Sequence, residues 1–198
     1  NTTLISVCKL DTYNAFVCYS DCGNSSYGTS NVLSVSGTDV AGNTPYVYKS
    51  GASYNNSVIK TDTNKAVVSF VTNTTGESCY LSVSTATITS GLCGTFYTGS
   101  IGVLSTCLIA TGKVLVCFDI ENQSLAIVET VNTNMSSRTP PVYLDFSTPS
   151  YATYMSVSNI DTNRAICVYH DGYNVNKDNA IILNYDTYTV KPEKKFVI

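Results

Sequence analysis

Apolar positions along this chain fall in short runs rich in Val, Ile, Tyr, Phe and Thr, separated by clusters of Gly, Asn, Asp, Ser and Pro. Short runs of this kind between turn residues predict strands. The runs recur in sets of four, here called A to D. The first set reads SVCKL, AFVCY, NVLSVSG and PYVYKS; the second SVIKT, AVVSF, CYLSVST and GTFYTG. The third reads TCLI, VLVCF, LAIVET and PVYLDF, and the fourth SVSNI, AICVY, AIILNY and EKKFVI. No 3.6-residue apolar stripe and no helix-cap pattern interrupts them, so the pattern predicts an all-β chain.

The spacing of the sets is regular. KLDTYNAFVCY, KTDTNKAVVSF, LIATGKVLVCF and NIDTNRAICVY align without a gap from residues 9, 60, 108 and 159, which lie 51, 48 and 51 residues apart. A period near fifty signals a propeller, solenoid or array. The A–B connection carries turn chemistry. An Asp at the start of a turn hydrogen-bonds the backbone two residues on, which assigns Asp11, Asp62 and Asp161 to turn building. In a three-residue hairpin loop the third residue is left-handed. Asn64, Gly112 and Asn163 suit that position, and Tyr13 is expected to be strained there.

Strand B predicts the packing. AVVSF and VLVCF are apolar without alternation, which is how a strand buried on both faces reads. Strand D holds Pro45, Pro140, Pro141 and Pro192 at or near its start, and proline belongs on edge strands or strand starts. D is therefore the outer strand of each sheet and A the inner one, beginning near Ser6, Ser57, Thr106 and Ser156.

With these residues in view, the repeated Leu/Ile-Asp-Thr-x-x-Ala-apolar-x-apolar-Tyr phrase in four-stranded units resembles a short-repeat β-propeller over essentially the whole chain. The Gly-His and Trp-Asp marks of WD repeats and an evident kelch Gly-Gly pattern are missing, so the resemblance is to an architecture. It implies one domain over 1–198, a four-bladed β-propeller with four antiparallel strands per blade. The blades run approximately 4–52, 53–101, 102–151 and 152–198. Each would be one contiguous segment, so the ring would close by packing blade one on blade four through Val7, Val17, Ile166 and Ile181. Strands D of blades one and three would be open to edge-to-edge self-association.

Composition narrows the function. A net charge of −3 with 11 Lys and Arg against 14 Asp and Glu leaves no basic footprint for nucleic acid. No apolar run approaches the roughly twenty residues of a spanning helix, so no membrane insertion is expected. The chain begins at Asn1 rather than Met, and a processed or excised product is expected. Six Asn-x-Ser/Thr sequons, at Asn1, Asn24, Asn55, Asn73, Asn122 and Asn134, are candidate glycosylation sites and point to secretion or surface display. Eight cysteines permit disulfides but sit mostly in strands as small apolar residues. Cys79 and Cys93 are the disulfide candidate, on neighbouring strands of one hairpin.

With A innermost, the B–C and D–A loops share one face, and they vary while the A–B turns do not. Loops rich in Tyr, Ser, Gly and Asn supply contact area and adaptable hydrogen bonds. The candidate ligand-binding residues there are Asp21, Asn24, Tyr54, Asp119, Asn122, Tyr151, His170, Asp171 and Tyr173. Catalytic devices are not apparent. His170 is the single histidine, no cluster has metal-ligand spacing, no loop cradles a cofactor phosphate, and no carboxylate pair stands out. The expectation is a non-catalytic extracellular module, without metal or cofactor, that binds a glycan or a surface protein. The alternative is a structural subunit of a surface layer, fibre or virion built by propeller–propeller contacts.

Overall fold

The computed structural model describes residues 2–84, 86–120, 123–130, 137–138, 142–143, 152–172, 177–186 and 189–198. They form four antiparallel sheets, one for each repeat. Blade one holds β1 (Thr2–Lys9), β2 (Asn14–Asp21), β3 (Tyr27–Ser36), β4 (Asp39–Gly42) and β5 (Tyr46–Ala52); β4 and β5 both pair with β3. Its strand D is thus one edge broken around Pro45. Blade two holds β6 (Tyr54–Asp62), β7 (Lys65–Val71), β8 (Thr75–Ser84) and β9 (Thr87–Thr98). Blade three holds β10 (Leu104–Ala110), β11 (Lys113–Ile120), β12 (Gln123–Thr130) and the fragments β13 (Ser137–Arg138) and β14 (Val142–Tyr143). Blade four holds β15 (Ala152–Asn159), β16 (Arg164–Asp171), β17 (Lys177–Tyr185) and β18 (Val190–Val197). The inner strands start earlier than expected, because β1, β6 and β15 continue through a bulge before Ser6, Ser57 and Met155. The blade-three counterpart of Ser57 is Ser105 rather than Thr106: each lies opposite the same repeat position of strand B, Ser69 and Cys117.

Side chains alternate across strand B, so each blade has a front face toward the next blade and a rear face toward the previous one. Three core clusters fill the three junctions. Phe16 and Cys18 of blade one meet Ala66, Val68 and Phe70 of blade two. Val67 and Val71 meet Val114, Val116 and Phe118. Leu115 and Cys117 meet Ala165, Cys167 and Tyr169. Burying side chains of this size is worth roughly 1.5–3 kcal/mol each. Strand B is buried on both faces in blades two and three, as its unbroken apolar run predicts.

The expected closure of blade four on blade one is absent among the described residues. Val7 is 61% exposed, Val17 and Ile166 are half-buried, and Ile181 packs toward blade three. The four blades form an open series. Ile181 lies opposite Cys167, on the rear face, so strand pleat alone turns it away from blade one.

The A–B turns are of two types, one in the two middle blades and the other in the two end blades. Asn64 and Gly112 adopt left-handed φ values of 57° and 71° in the turns of blades two and three. Tyr13 and Asn163 do not, so Tyr13 escapes the expected strain. There the Asp side chain shapes the turn instead. Asp11 Oδ1 accepts from the N–H groups of Tyr13 and Asn14 at 2.7 and 2.9 Å, and Asp161 Oδ1 accepts from Asn163 N–H at 3.1 Å. Hydrogen bonding to Asn14 and to Arg164 respectively holds both carboxyls below their ordinary pKa.

Candidate functional site

Strands B and C run further toward the loop face than the sequence suggests, and this reassigns several candidate residues. Asp21 ends β2 and caps the short turn Cys22–Asn24, its Oδ1 accepting from Gly23 N–H at 3.0 Å. Asn24 stands exposed in that turn. Tyr54 opens β6 and is 38% exposed. Asp119 and Asp171, expected in loops, are fully buried strand residues. Asp119 Oδ1 accepts from Ala152 N–H at 3.1 Å and from Ser124 Oγ at 3.4 Å, so it fastens blade three to the start of blade four. Burial raises its pKa to about 6, against the lowering effect of those two bonds. His170 is half-buried, with Nδ1 2.9 Å from Asp178 Oδ1. Asn122, Tyr151 and Tyr173, and the sequons Asn1 and Asn134, lie outside the described residues.

The residues brought together at the axis are those at the starts of the inner strands. A cavity of about 260 Å³ opens there among Leu4 and Ile5 of β1, Asn55 and Asn56 of β6, Leu104 of β10 and Tyr154 of β15. The bulges create it. Leu4 and Asn55 adopt left-handed φ values of 54° and 48°, which turn successive side chains out of the pleat. Asn56 Nδ2 donates to Leu4 O at 3.1 Å and Asn55 Nδ2 to Gly102 O, so the two amides bridge three blades. Asn56 Oδ1 accepts from Tyr48 OH at 2.8 Å. Tyr154 is 76% exposed, an aromatic ring presented at the rim. Tyr154 also borders a second groove of about 360 Å³, on the front face of blade four, with Met155, Ser156, Val168 and His170. The structure therefore groups His170 with Tyr154 and leaves Asp21 and Asn24 at the β2–β3 turn of blade one.

Comparison with solved structures identifies the architecture. The chain has the blade arrangement of a β-propeller. A triple arginine-to-alanine mutant of AofleA from Arthrobotrys oligospora aligns over 98% of this chain with a TM-score of 0.62 and 12% identity. A neuraminidase-like protein from a Guatemalan bat isolate aligns over 98% with a TM-score of 0.55 and 11% identity. Hsv2 from Kluyveromyces lactis aligns over 96% with a TM-score of 0.57 and 13% identity. The propeller chain spans 58%, 54% and 61% of these proteins respectively. Identity this low shows the fold alone. No protein-family model matches the chain, and no curated protein matches it.

Within the propeller, Cys79 and Cys93 form a disulfide and lie directly opposite each other in β8 and β9, as expected of the hairpin. Of the described sequons, Asn24 and Asn73 are exposed, whereas the Asn55 amide is spent on Gly102. Among the described residues no three His, Cys, Asp or Glu side chains gather as a metal site, and no helix is long and apolar enough to cross a membrane. Sequence reasoning missed Leu4, Asn55, Asn56 and Leu104. The signal available was the run SYNNS, whose Asn-Asn pair suits a left-handed bulge residue.

Proposed function

We propose that the chain is a non-catalytic, extracellular binding module whose axial cavity takes a glycan. One observation carries the reading: the inner-strand starts converge on a concave site with an apolar floor, two hydrogen-bonded amides and an exposed tyrosine at its rim. A sugar ring needs an aromatic face to stack on, which Tyr154 supplies, and a rigid wall around it, which the two bridging amides hold in shape. At about 260 Å³ the cavity lies just below the roughly 300–1,000 Å³ of drug-sized pockets, a size for one sugar unit. A protruding side chain of a surface protein is the other occupant of suitable size. The Cys79–Cys93 disulfide supports an oxidising compartment. A glycan array followed by calorimetry on wild type, Tyr154→Ala and Asn56→Ala tests this. Tyr154→Ala is expected to weaken binding at least tenfold while the melting temperature stays within a degree or two, because the ring is mostly solvated. Binding that survives Tyr154→Ala removes the axial site from consideration.

A second reading, a subunit that assembles through contacts between copies, is favoured by the uncovered faces of blades one and four.

A further inference from the structure

Four serines occupy one position of the repeat, and three of them have a partner on the next blade. Ser6, Ser57, Ser105 and Ser156 lie opposite Cys18, Ser69, Cys117 and Val168, the same position of strand B each time. Val58 N–H donates to Ser6 Oγ at 3.1 Å, Thr106 N–H to Ser57 Oγ at 3.2 Å, and Val157 N–H to Ser105 Oγ at 3.2 Å. Each bond ties one inner strand to the next. The donors also share a position, opposite Val68, Val116 and Cys167. Its blade-one counterpart is Val7, opposite Val17. Ser156 and Val7 are therefore the acceptor and donor halves of a fourth bond, which does not form among the described residues.

The faces around those two residues match in the same way. Strand B presents Val17 and Tyr19 on the rear of blade one, where the equivalent pairs Val68–Phe70, Val116–Phe118 and Cys167–Tyr169 are all buried. It presents Ile166, Val168 and His170 on the front of blade four, where Val67, Ser69 and Val71, and Leu115, Cys117 and Asp119, are all buried. The end faces carry mostly apolar side chains but lack cover. Phe196, aligned with Val168 through Ala180, is 42% exposed on the same front face. The groove of about 360 Å³ runs past Ser156 and Val168.

We propose that the front face of blade four docks the rear face of blade one from a second copy, head to tail, with Ser156 Oγ accepting the N–H of Val7 from that copy. The occupant follows from continuity with the established junctions: the front faces of blades one, two and three are each covered by a rear face of this same repeat, and every copy carries one such rear face, that of blade one, without cover among the described residues. The contact is heterologous, so it yields a closed ring where the rotation permits and an open filament where it does not. It differs from edge pairing through strands D, since the blade-one edge is already interrupted between β4 and β5.

Sedimentation velocity on the full chain across a wide concentration range provides the test, with two variants at exposed positions that leave the fold intact. Val7→Asp blocks the rear face of blade one, and Ser156→Asp blocks the front face of blade four. Each variant alone is expected to associate at least tenfold more weakly than wild type, with an unchanged circular dichroism spectrum. Mixed one to one, they are expected to form a dimer and stop there, because the Val7→Asp copy keeps a working front face and the Ser156→Asp copy a working rear face. Wild type that stays monomeric at the highest concentration overturns the proposal. So does association that neither substitution weakens, which would assign it to strand edges, and so does a mixture that gains no dimer, which would indicate a like-with-like interface.

Discussion

Burial separates the acidic residues that the sequence groups together. Asp11, Asp62 and Asp161 were legible as turn builders because the Asp-Thr dipeptide sits between two apolar runs; Asp11 and Asp161 bond the backbone two residues on, whereas Asp62 Oδ1 accepts from the next residue, Thr63 N–H, at 2.7 Å. Asp119 and Asp171 were not legible, since nothing in a strand-end Asp tells whether the next blade covers it. Asp119 gives a pH test. Its folded pKa, about 6, lies above its ordinary value of 3.8. A raised folded value means a contribution to stability that is full below about pH 4 and is lost as pH rises through 6. Asp119→Asn keeps an oxygen for Ala152 N–H and removes the buried charge. It is expected to raise unfolding free energy by roughly 1–3 kcal/mol at pH 8 and to change it little at pH 3.5. Chemical denaturation at the two pH values measures this, and equal effects at both would show that the carboxylate is not penalised. The thiols make a second test. Burial pushes the Cys107 thiol up to about 12 and the Cys8 thiol to about 11, while Cys22 is exposed. Native protein treated with a thiol reagent at pH 8 is expected to lose Cys22 quickly, and Cys18, Cys107, Cys117 and Cys167 only after unfolding. Rapid loss of any of those four would contradict the packing of their strands.

At the scale of the strand, the repeat register predicted the pairing, and the elements it missed are those where chain geometry overrides pattern. The bulges at Leu4 and Asn55 leave no apolar signature, so the inner strands looked shorter than they are and the axial residues went unnoticed. The B–C loops looked longer because Thr75–Ser84 and Lys177–Tyr185 begin with polar residues, among them Glu77, Ser78 and Asn179, which the sheets nonetheless bury. Close approach within a blade is testable at two glycines of one repeat position. A Cβ on Gly28 would lie 2.5 Å from the Tyr48 ring, and one on Gly76 would lie 2.4 Å from both Ile101 and the Phe96 ring. These aromatics lie in strand D of their blades, and Phe96 and Tyr48 meet Phe118 and Phe70 of the next blade in tilted pairs with ring centroids 5.3 and 5.1 Å apart. Displacing them disturbs a junction as well as a sheet. Gly28→Ala and Gly76→Ala are each expected to cost about 1–3 kcal/mol, the range of an overpacked core. Gly51→Ala, where a Cβ would meet nothing within 4 Å, is expected to be nearly neutral. Urea midpoints distinguish the three, and a neutral Gly76→Ala would mean that the Phe96 ring moves freely aside.

For the whole molecule, stability is a sum over blades and the three junctions between them, as in other repeat architectures. Four apolar B strands in the sequence cannot reveal that, among the described residues, only two are covered on both faces, because AFVCY and AICVY are as apolar as the buried runs AVVSF and VLVCF. The difference appears in energetics. Val68 lies in a filled junction at 0% exposure, whereas its repeat equivalent Val17 is half-buried on an open face. Truncating Val68 to Ala removes two methyl groups and leaves a cavity, a cost of roughly 2–3 kcal/mol. Val17→Ala removes the same atoms from a half-solvated site and is expected to cost about 1 kcal/mol or less in dilute solution. Concentration then separates an open face from a weakly packed one. If the faces of blades one and four meet between copies, Val17 becomes a junction residue, and the penalty of Val17→Ala rises toward that of Val68→Ala as protein concentration increases. The Val68→Ala penalty stays constant, since its junction lies inside the chain. Melting curves for both variants and wild type, recorded over a hundredfold range of concentration, read the two penalties directly. A Val17→Ala penalty that is small and flat over the whole range would mean that the apolar rear face of blade one stays in water.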